Sequence, residues 1–183
     1  MRDEKRFLIR RRTGQQNFVI LLSPADEEKP HLKQVIGWEE FGALAEGLVA
    51  KIKADGGAFD LVVGIARGGV PLSMVVADRL KVPLDFINVK SYVGEDARGE
   101  VRILSTLLED ARGKSVLLVD DLVDEGETMT KLAKFLGEKY DLAGLKTAAL
   151  YVKPWSGFRP DYSVGTTEAW VVFPWEHGEF LSK

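Results

Sequence analysis

The apolar positions of this chain switch repeatedly between two periods. From Trp38 onward, Phe41, Leu44, Ala45, Leu48, Val49 and Ile52 recur at three- and four-residue steps, and Gly56-Gly57 closes the pattern. That spacing predicts one face of a helix. Leu61-Val-Val-Gly-Ile65 is a short, continuously apolar run, as expected of a strand covered on both faces. Val70 to about Leu80 reads as a second helix with Pro71 near its first turn. Leu84–Val89 and Val116–Val119 read as further buried strands. Thr130 to Tyr140 places Leu132, Ala133, Phe135 and Leu136 near one stripe, the pattern of an amphipathic helix. Leu145–Val152 and the short run Trp170–Phe173 complete the strands. Strands alternating with helices predict an α/β protein built on a doubly wound, mostly parallel sheet.

Two stretches depart from the alternation. Gly94 to Glu100 is polar with a glycine at each end and reads as a mobile loop. Residues 1–35 form an accessory extension, in which Phe7-Leu-Ile and Asn17-Phe-Val-Ile-Leu-Leu fit two strands around Thr13-Gly14 as a hairpin. The main domain is expected over residues 36–183.

Length and composition narrow the function classes. A chain of 183 residues can bury one full core, and 45% hydrophobic with 29% charged residues is ordinary for a globular protein. No run approaches a membrane span, so no membrane partner is expected. The start is too charged for a secretory signal, and a cytoplasmic location is the expectation. The absence of cysteine excludes disulfides, thiol catalysis and thiolate metal sites. Residues 1–12 carry six basic side chains against Asp3 and Glu4, a local charge of +4. The chain as a whole has −3, so the remainder carries −7. An acidic body argues against nucleic acid as the main partner.

The stretch with the most chemistry is 115–130. Its strand ends in the adjacent carboxylates Asp120 and Asp121, followed by Asp124-Glu125-Gly126-Glu127-Thr128 and a helix. A helix start offers unpaired N–H groups and a favourable dipole to an anion. Gly126 lets the main chain turn tightly, and Thr128 adds a hydroxyl. Carboxylates repel phosphate but suit sugar hydroxyls and Mg²⁺, which is often shared with substrate phosphates. A generic acidic turn reads as solvated acids ahead of a helix, but here the apolar strand, the paired acids, the spacing to Asp124 and the Gly-x-Thr coincide and favour a ligand site. A second turn, Ile65-Ala-Arg-Gly-Gly-Val-Pro71, combines Arg67 with Gly68 and Gly69, a local pattern for an anion-binding nest or simply for a tight strand-to-helix turn. A third group is Lys153-Pro-Trp with the later Trp170-Val-Val-Phe-Pro-Trp-Glu176, suited to stacking on a planar base or to core packing.

Together these residues resemble the type I phosphoribosyltransferases. Asp120, Asp121, Asp124, Gly126 and Thr128 match that family's phosphoribosyl pyrophosphate signature, and Glu125 stands where the family usually has Thr. Glu127 occupies a variable position and adds negative charge. The Arg67 turn resembles the family's pyrophosphate loop, which implies a cis peptide at Ala66–Arg67. Ser91-Tyr92 resembles the start of a flexible lid. Lys153-Pro and the Trp170-to-Glu176 segment resemble the short 6-oxopurine enzymes. The resemblance covers about residues 35–176.

It implies transfer of ribose 5-phosphate from phosphoribosyl pyrophosphate to hypoxanthine, guanine or xanthine, with Mg²⁺ held by Asp120 and Asp121. Asp124 would be the general base. Arg67 would stabilise leaving charge. Lys153 would donate to the base, Trp170 would stack on it, Val171 would offer its backbone and Glu176 would lie near the 2-position. A homodimer or homotetramer is the implied assembly. A non-catalytic sensor of phosphoribosyl pyrophosphate or nucleotide is the alternative that Glu125 and the basic arm suggest.

Overall fold

A computed structural model describes residues 7–11, 17–21, 33–94 and 97–176. The chain divides into two compact units, one of Met1–Ala43 with Glu168–Lys183 and one of Leu44–Thr167.

The larger unit is built on a six-stranded sheet. Its strands are β4 (Leu61–Ala66), β5 (Leu84–Gly94), β6 (Ala97–Ile103), β7 (Ser115–Val123), β8 (Gly144–Val152) and β9 (Tyr162–Thr166), in spatial order β6-β5-β4-β7-β8-β9. Every pair is parallel except β5 with β6. Helix α1 (Trp38–Ala54) leads to β4, α2 (Val70–Leu80) joins β4 to β5, and α3 (Glu127–Lys139) joins β7 to β8.

Alternation along the strands sends successive side chains to opposite faces. On one face Leu61, Val63, Ile65, Ile87, Val116 and Leu118 form a core with Met129, Leu132 and Leu136 of α3. On the other, a Cβ added at Gly64 would overlap the Ser73 hydroxyl of α2 and lie 2.9 Å from Phe86 Cδ1. The helices therefore cover both faces, and the predicted doubly wound sheet is present. Gly64 is needed because α2 packs directly on its Cα.

The predicted strands and helices recur with adjusted ends. The β7 strand runs four residues past Val119, carrying Asp120 and Asp121 inside the ladder, where Asp120 pairs with Ala149 of β8. Helix α3 starts at Glu127 rather than Thr130. The expected loop over 94–100 is corrected: Gly94 and residues 97–100 belong to an antiparallel hairpin in which Tyr92 faces Glu100 and Gly94 faces Ala97. Backbone pairing with β5 overrides the polar, glycine-flanked composition there. Residues 95–96 lie outside the described part.

The smaller unit holds a four-stranded sheet, β1 (Phe7–Arg11), β2 (Asn17–Leu21), β3 (Lys33–Val35) and β10 (Trp170–Val172), in the order β1-β2-β3-β10. β1 and β2 are an antiparallel pair, and β10 pairs with β3 in parallel. The run at 170 is thus part of a separate sheet. Strand β3 had no sequence signal, because three residues between a loop and a helix are too few to show a period.

The Gly64 contact predicts that Gly64→Ala lowers the unfolding free energy by about 1–3 kcal/mol, as overpacking does. Urea titration measures this, and Ser73→Ala in the same chain should recover part of the loss.

Candidate active site

In an open α/β sheet, ligands bind beyond the carboxyl ends of the strands where the strand order reverses. Here the chain leaves β4 towards β5 and later returns to place β7 on the other side of β4. The loops after β4 and β7 therefore flank that crevice.

Their close approach depends on two glycines. A Cβ at Gly69 would lie 2.7 Å from the Val119 carbonyl oxygen and 2.9 Å from the Asp120 Cα. A Cβ at Gly68 would lie 2.6 Å from Asp121 Oδ2. The Arg67 turn is thus laid against the paired acids with no room for side chains between them. The Ala66–Arg67 peptide is cis, as the resemblance implies. Arg67 is exposed at the tip of the turn.

The two acids differ. Asp120 Oδ1 accepts the Asp121 N–H at 3.0 Å, and Asp121 Oδ1 accepts the Leu122 N–H at 2.8 Å. Burial, and then the neighbouring Asp121 charge, push the Asp120 carboxyl well above the usual carboxylate range.

A cleft of about 320 Å³ lies beside them, lined by Asp120, Asp124, Glu125, Gly126, Glu127 and Thr128 among others. Gly126 has φ of +91°, and a Cβ there would fall 2.8 Å from the Phe158 nitrogen, so both conformation and space require glycine. It precedes α3, whose start carries no side-chain cap. The Glu125 carbonyl accepts the Gly157 N–H at 3.0 Å. In a trans peptide the next N–H points the opposite way, so the Gly126 amide is turned from Gly157. Glu125 and Glu127 are exposed and Thr128 is half-buried.

Segment 153–158 is joined to this loop along its length. The Lys153 N–H donates to the Val123 carbonyl at 2.9 Å, the Trp155 indole N–H donates to Asp124 Oδ1 at 3.0 Å, and Gly157 holds Glu125 as described. Lys153 is buried, and its ammonium stands 5.3 Å from the Trp155 ring centroid. Burial lowers the Lys153 pKa below the usual lysine range, while the Asp124 charge acts in the opposite sense. Trp155 is the residue the sequence reading passed over. It was legible only as part of Lys153-Pro-Trp, since its partner lies 31 residues upstream.

Of the remaining expected site residues, Ser91 and Tyr92 lie in β5 opposite Val101 and Glu100, with their side chains outside the described part. Trp170, Val171 and Glu176 belong to the smaller unit. There Trp170 is exposed, and β10 forms one edge of its sheet among the described residues. Val171 pairs with Gln34. Glu176 Oε2 accepts the Phe173 N–H at 3.0 Å, closing the turn around Trp175, which stacks on Phe173 at 4.8 Å between centroids.

The phosphoribosyl transferase domain family matches residues 31–179. The chain belongs to that family. It is 34% identical over 160 residues to xanthine-guanine phosphoribosyltransferase of Cereibacter sphaeroides, covering 82% of this chain and 91% of that one. The Ruegeria sp. enzyme of the same name is 32% identical, over 80% and 88% of the two chains. Among solved structures, the purine phosphoribosyltransferase of Pyrococcus horikoshii superposes with a TM-score of 0.70 at 31% identity, over 78% of this chain and 93% of that one.

The opposed influences on Lys153 give a signed expectation. Asp124→Asn removes the charge that raises the Lys153 pKa and leaves the burial that lowers it, so the pKa falls further. NMR titration of the lysine ε-methylene resonances reads this directly, and an upward shift would contradict the geometry.

Proposed function

We propose that the protein is a purine salvage enzyme that transfers ribose 5-phosphate from phosphoribosyl pyrophosphate to a 6-oxopurine base, releasing pyrophosphate. The supporting observation is a cleft in which Asp120, Asp124 and the uncapped start of α3 meet, with Lys153 tied to Asp124 through Trp155. The named relatives are purine phosphoribosyltransferases, which favours turnover over the sensor that Glu125 suggests.

In this reading the amides of residues 125–128 and the Thr128 hydroxyl hold the 5′-phosphate at the helix start. Glu125 and Glu127 are exposed and line the same cleft, so their charge lies near the bound phosphate. Asp120 and Asp121 receive the ribose hydroxyls. Main-chain groups at Ala66, Gly68 and Gly69, with the Arg67 guanidinium, receive the pyrophosphate and stabilise its charge as it leaves. Lys153 donates to the exocyclic oxygen of the base. Ser91 and Tyr92 begin the segment that shields the sugar from water.

Mg²⁺ suits this donor set. Among the described residues no cluster of three or more His, Cys, Asp or Glu forms a protein cage. Mg²⁺ commonly uses one or two carboxylates, waters and substrate phosphates instead, and Asp120 with Asp121 supplies that share. When bound, it would neutralise charge on the pyrophosphate oxygens.

The bond changes balance without a further reactant. The purine nitrogen bonds to C1 of the ribose as the C1–O bond breaks, and that electron pair leaves with pyrophosphate. Asp124 takes the proton that the purine nitrogen gives up. A homodimer or homotetramer acting in the cytoplasm completes the proposal. Among the described residues no helix is long and apolar enough to cross a membrane.

Pyrophosphate release with phosphoribosyl pyrophosphate, Mg²⁺ and each of hypoxanthine, guanine, xanthine and adenine tests the reading. Turnover is expected with at least one 6-oxopurine and at least ten times less with adenine. Binding of phosphoribosyl pyrophosphate with no turnover of any base would reject it. In the same assay Glu125→Thr should lower KM for phosphoribosyl pyrophosphate about two- to tenfold, by adding a hydroxyl and removing a charge beside the phosphate.

A further inference from the structure

Trp155 has an environment that core packing does not explain. It is 56% exposed, whereas a tryptophan placed for stability buries most of its ring. Two charged groups of opposite sign meet the one indole. Its N–H edge donates to Asp124 Oδ1 at 3.0 Å, and its face lies 5.3 Å from the Lys153 ammonium. An aromatic ring has a negative face and a positive edge, so this placement satisfies both partners electrostatically.

The turn that carries the indole is itself held. The Arg159 guanidinium donates to the Lys153 carbonyl at 3.0 Å and the Pro154 carbonyl at 2.8 Å. The Ser156 N–H donates back to the Lys153 carbonyl at 3.1 Å, and the Gly157 N–H fixes the Glu125 carbonyl. The backbone on either side of Trp155 is thus anchored independently of the indole. The indole N–H is the one contact in this set that bears on the Asp124 side chain.

We propose that Trp155 is a positioning residue for the transfer reaction, orienting the Asp124 carboxylate through its indole N–H while its ring spaces that carboxylate from Lys153. This rests on the reading of Asp124 as the base. With Oδ1 occupied by the indole, Oδ2 is the oxygen presented to the purine N–H. The proton passes to Oδ2, and the N–H electron pair stays on the purine as its nitrogen bonds to C1. Without the indole N–H the carboxylate rotates about its Cβ–Cγ bond and is also drawn towards the lysine. Either change removes the near-attack geometry that makes a weak base effective.

Steady-state kinetics on the full chain tests this with a double-mutant cycle of Trp155→Phe and Asp124→Asn. The Phe variant keeps an aromatic ring beside Lys153 and removes the indole N–H together with the second ring. Expected is a roughly tenfold fall in kcat, with KM for phosphoribosyl pyrophosphate within twofold of wild type and an unchanged melting temperature. In the Asp124→Asn background the same change should cost less than twofold, because residues acting as a unit are not additive. An equal loss in both backgrounds, or no loss in either, would overturn the proposal.

A measurement that needs no Trp155 variant runs beside it. The Trp155 indole resonance in a ¹⁵N correlation spectrum should move, and its proton exchange faster, in Asp124→Asn. An unmoved resonance counts against the contact. Wild-type turnover with an indifferent Trp155→Phe removes this inference alone, whereas absence of wild-type turnover with any base removes it together with the enzymatic reading.

Discussion

The larger unit depends on how closely the turn after β4 approaches Val119–Asp121, in the middle of β7. Gly69 lies where a Cβ would meet the backbone of Val119 and Asp120, and Gly68 lies where a Cβ would meet the Asp121 carboxylate. Backbone atoms cannot give way as a flexible side chain can. Without these two absent side chains the strand ends would separate, and the Arg67 turn would no longer face the acids. The parallel pairing of β4 with β7 holds the approach from beneath, through the register Leu61 with Val116 to Gly64 with Val119.

A second set of close contacts joins chemistry that the chain keeps 30 residues apart. Lys153, Trp155 and Gly157 each bond to successive residues of the Val123–Glu125 segment, and Gly126 packs against Phe158 without a side chain between them. A loop held this way has little freedom to reorient when a ligand arrives. That is the condition under which hydrogen-bond donors and charges stabilise a developing charge without reorganising. The burial that lowers the Lys153 pKa is a cost of the same arrangement, partly offset by the Asp124 charge.

The outline of the fold was legible because its signals are local. The helix over 38–54, the apolar strands at 61, 84, 116 and 145, and the helix over 70–80 each show their period within their own residues. The elements that were not legible are the short or polar ones. Strand β3 is three residues long, and β6 has the composition of a loop and becomes a strand only by pairing with β5. The start of α3 was set three residues late, since Glu127, Thr128 and Met129 carry no apolar stripe, although the structure buries Met129.

The sequence by itself determined the class of the sheet, the order of its elements and the residue types brought to the strand ends, because periodicity and the Asp-Asp and Arg-Gly-Gly patterns are properties of neighbouring residues. Which of those residues share a cleft was decided only by the tertiary structure. The contrast between a half-buried Asp120 and an exposed Asp124 arises from through-space contacts, as does the use of one indole by both Asp124 and Lys153. Such contacts join positions about 30 residues apart, and no local pattern encodes that distance. Trp155 shows the limit most clearly: as a letter after Lys-Pro it has no assigned role, and its position in space supplies one.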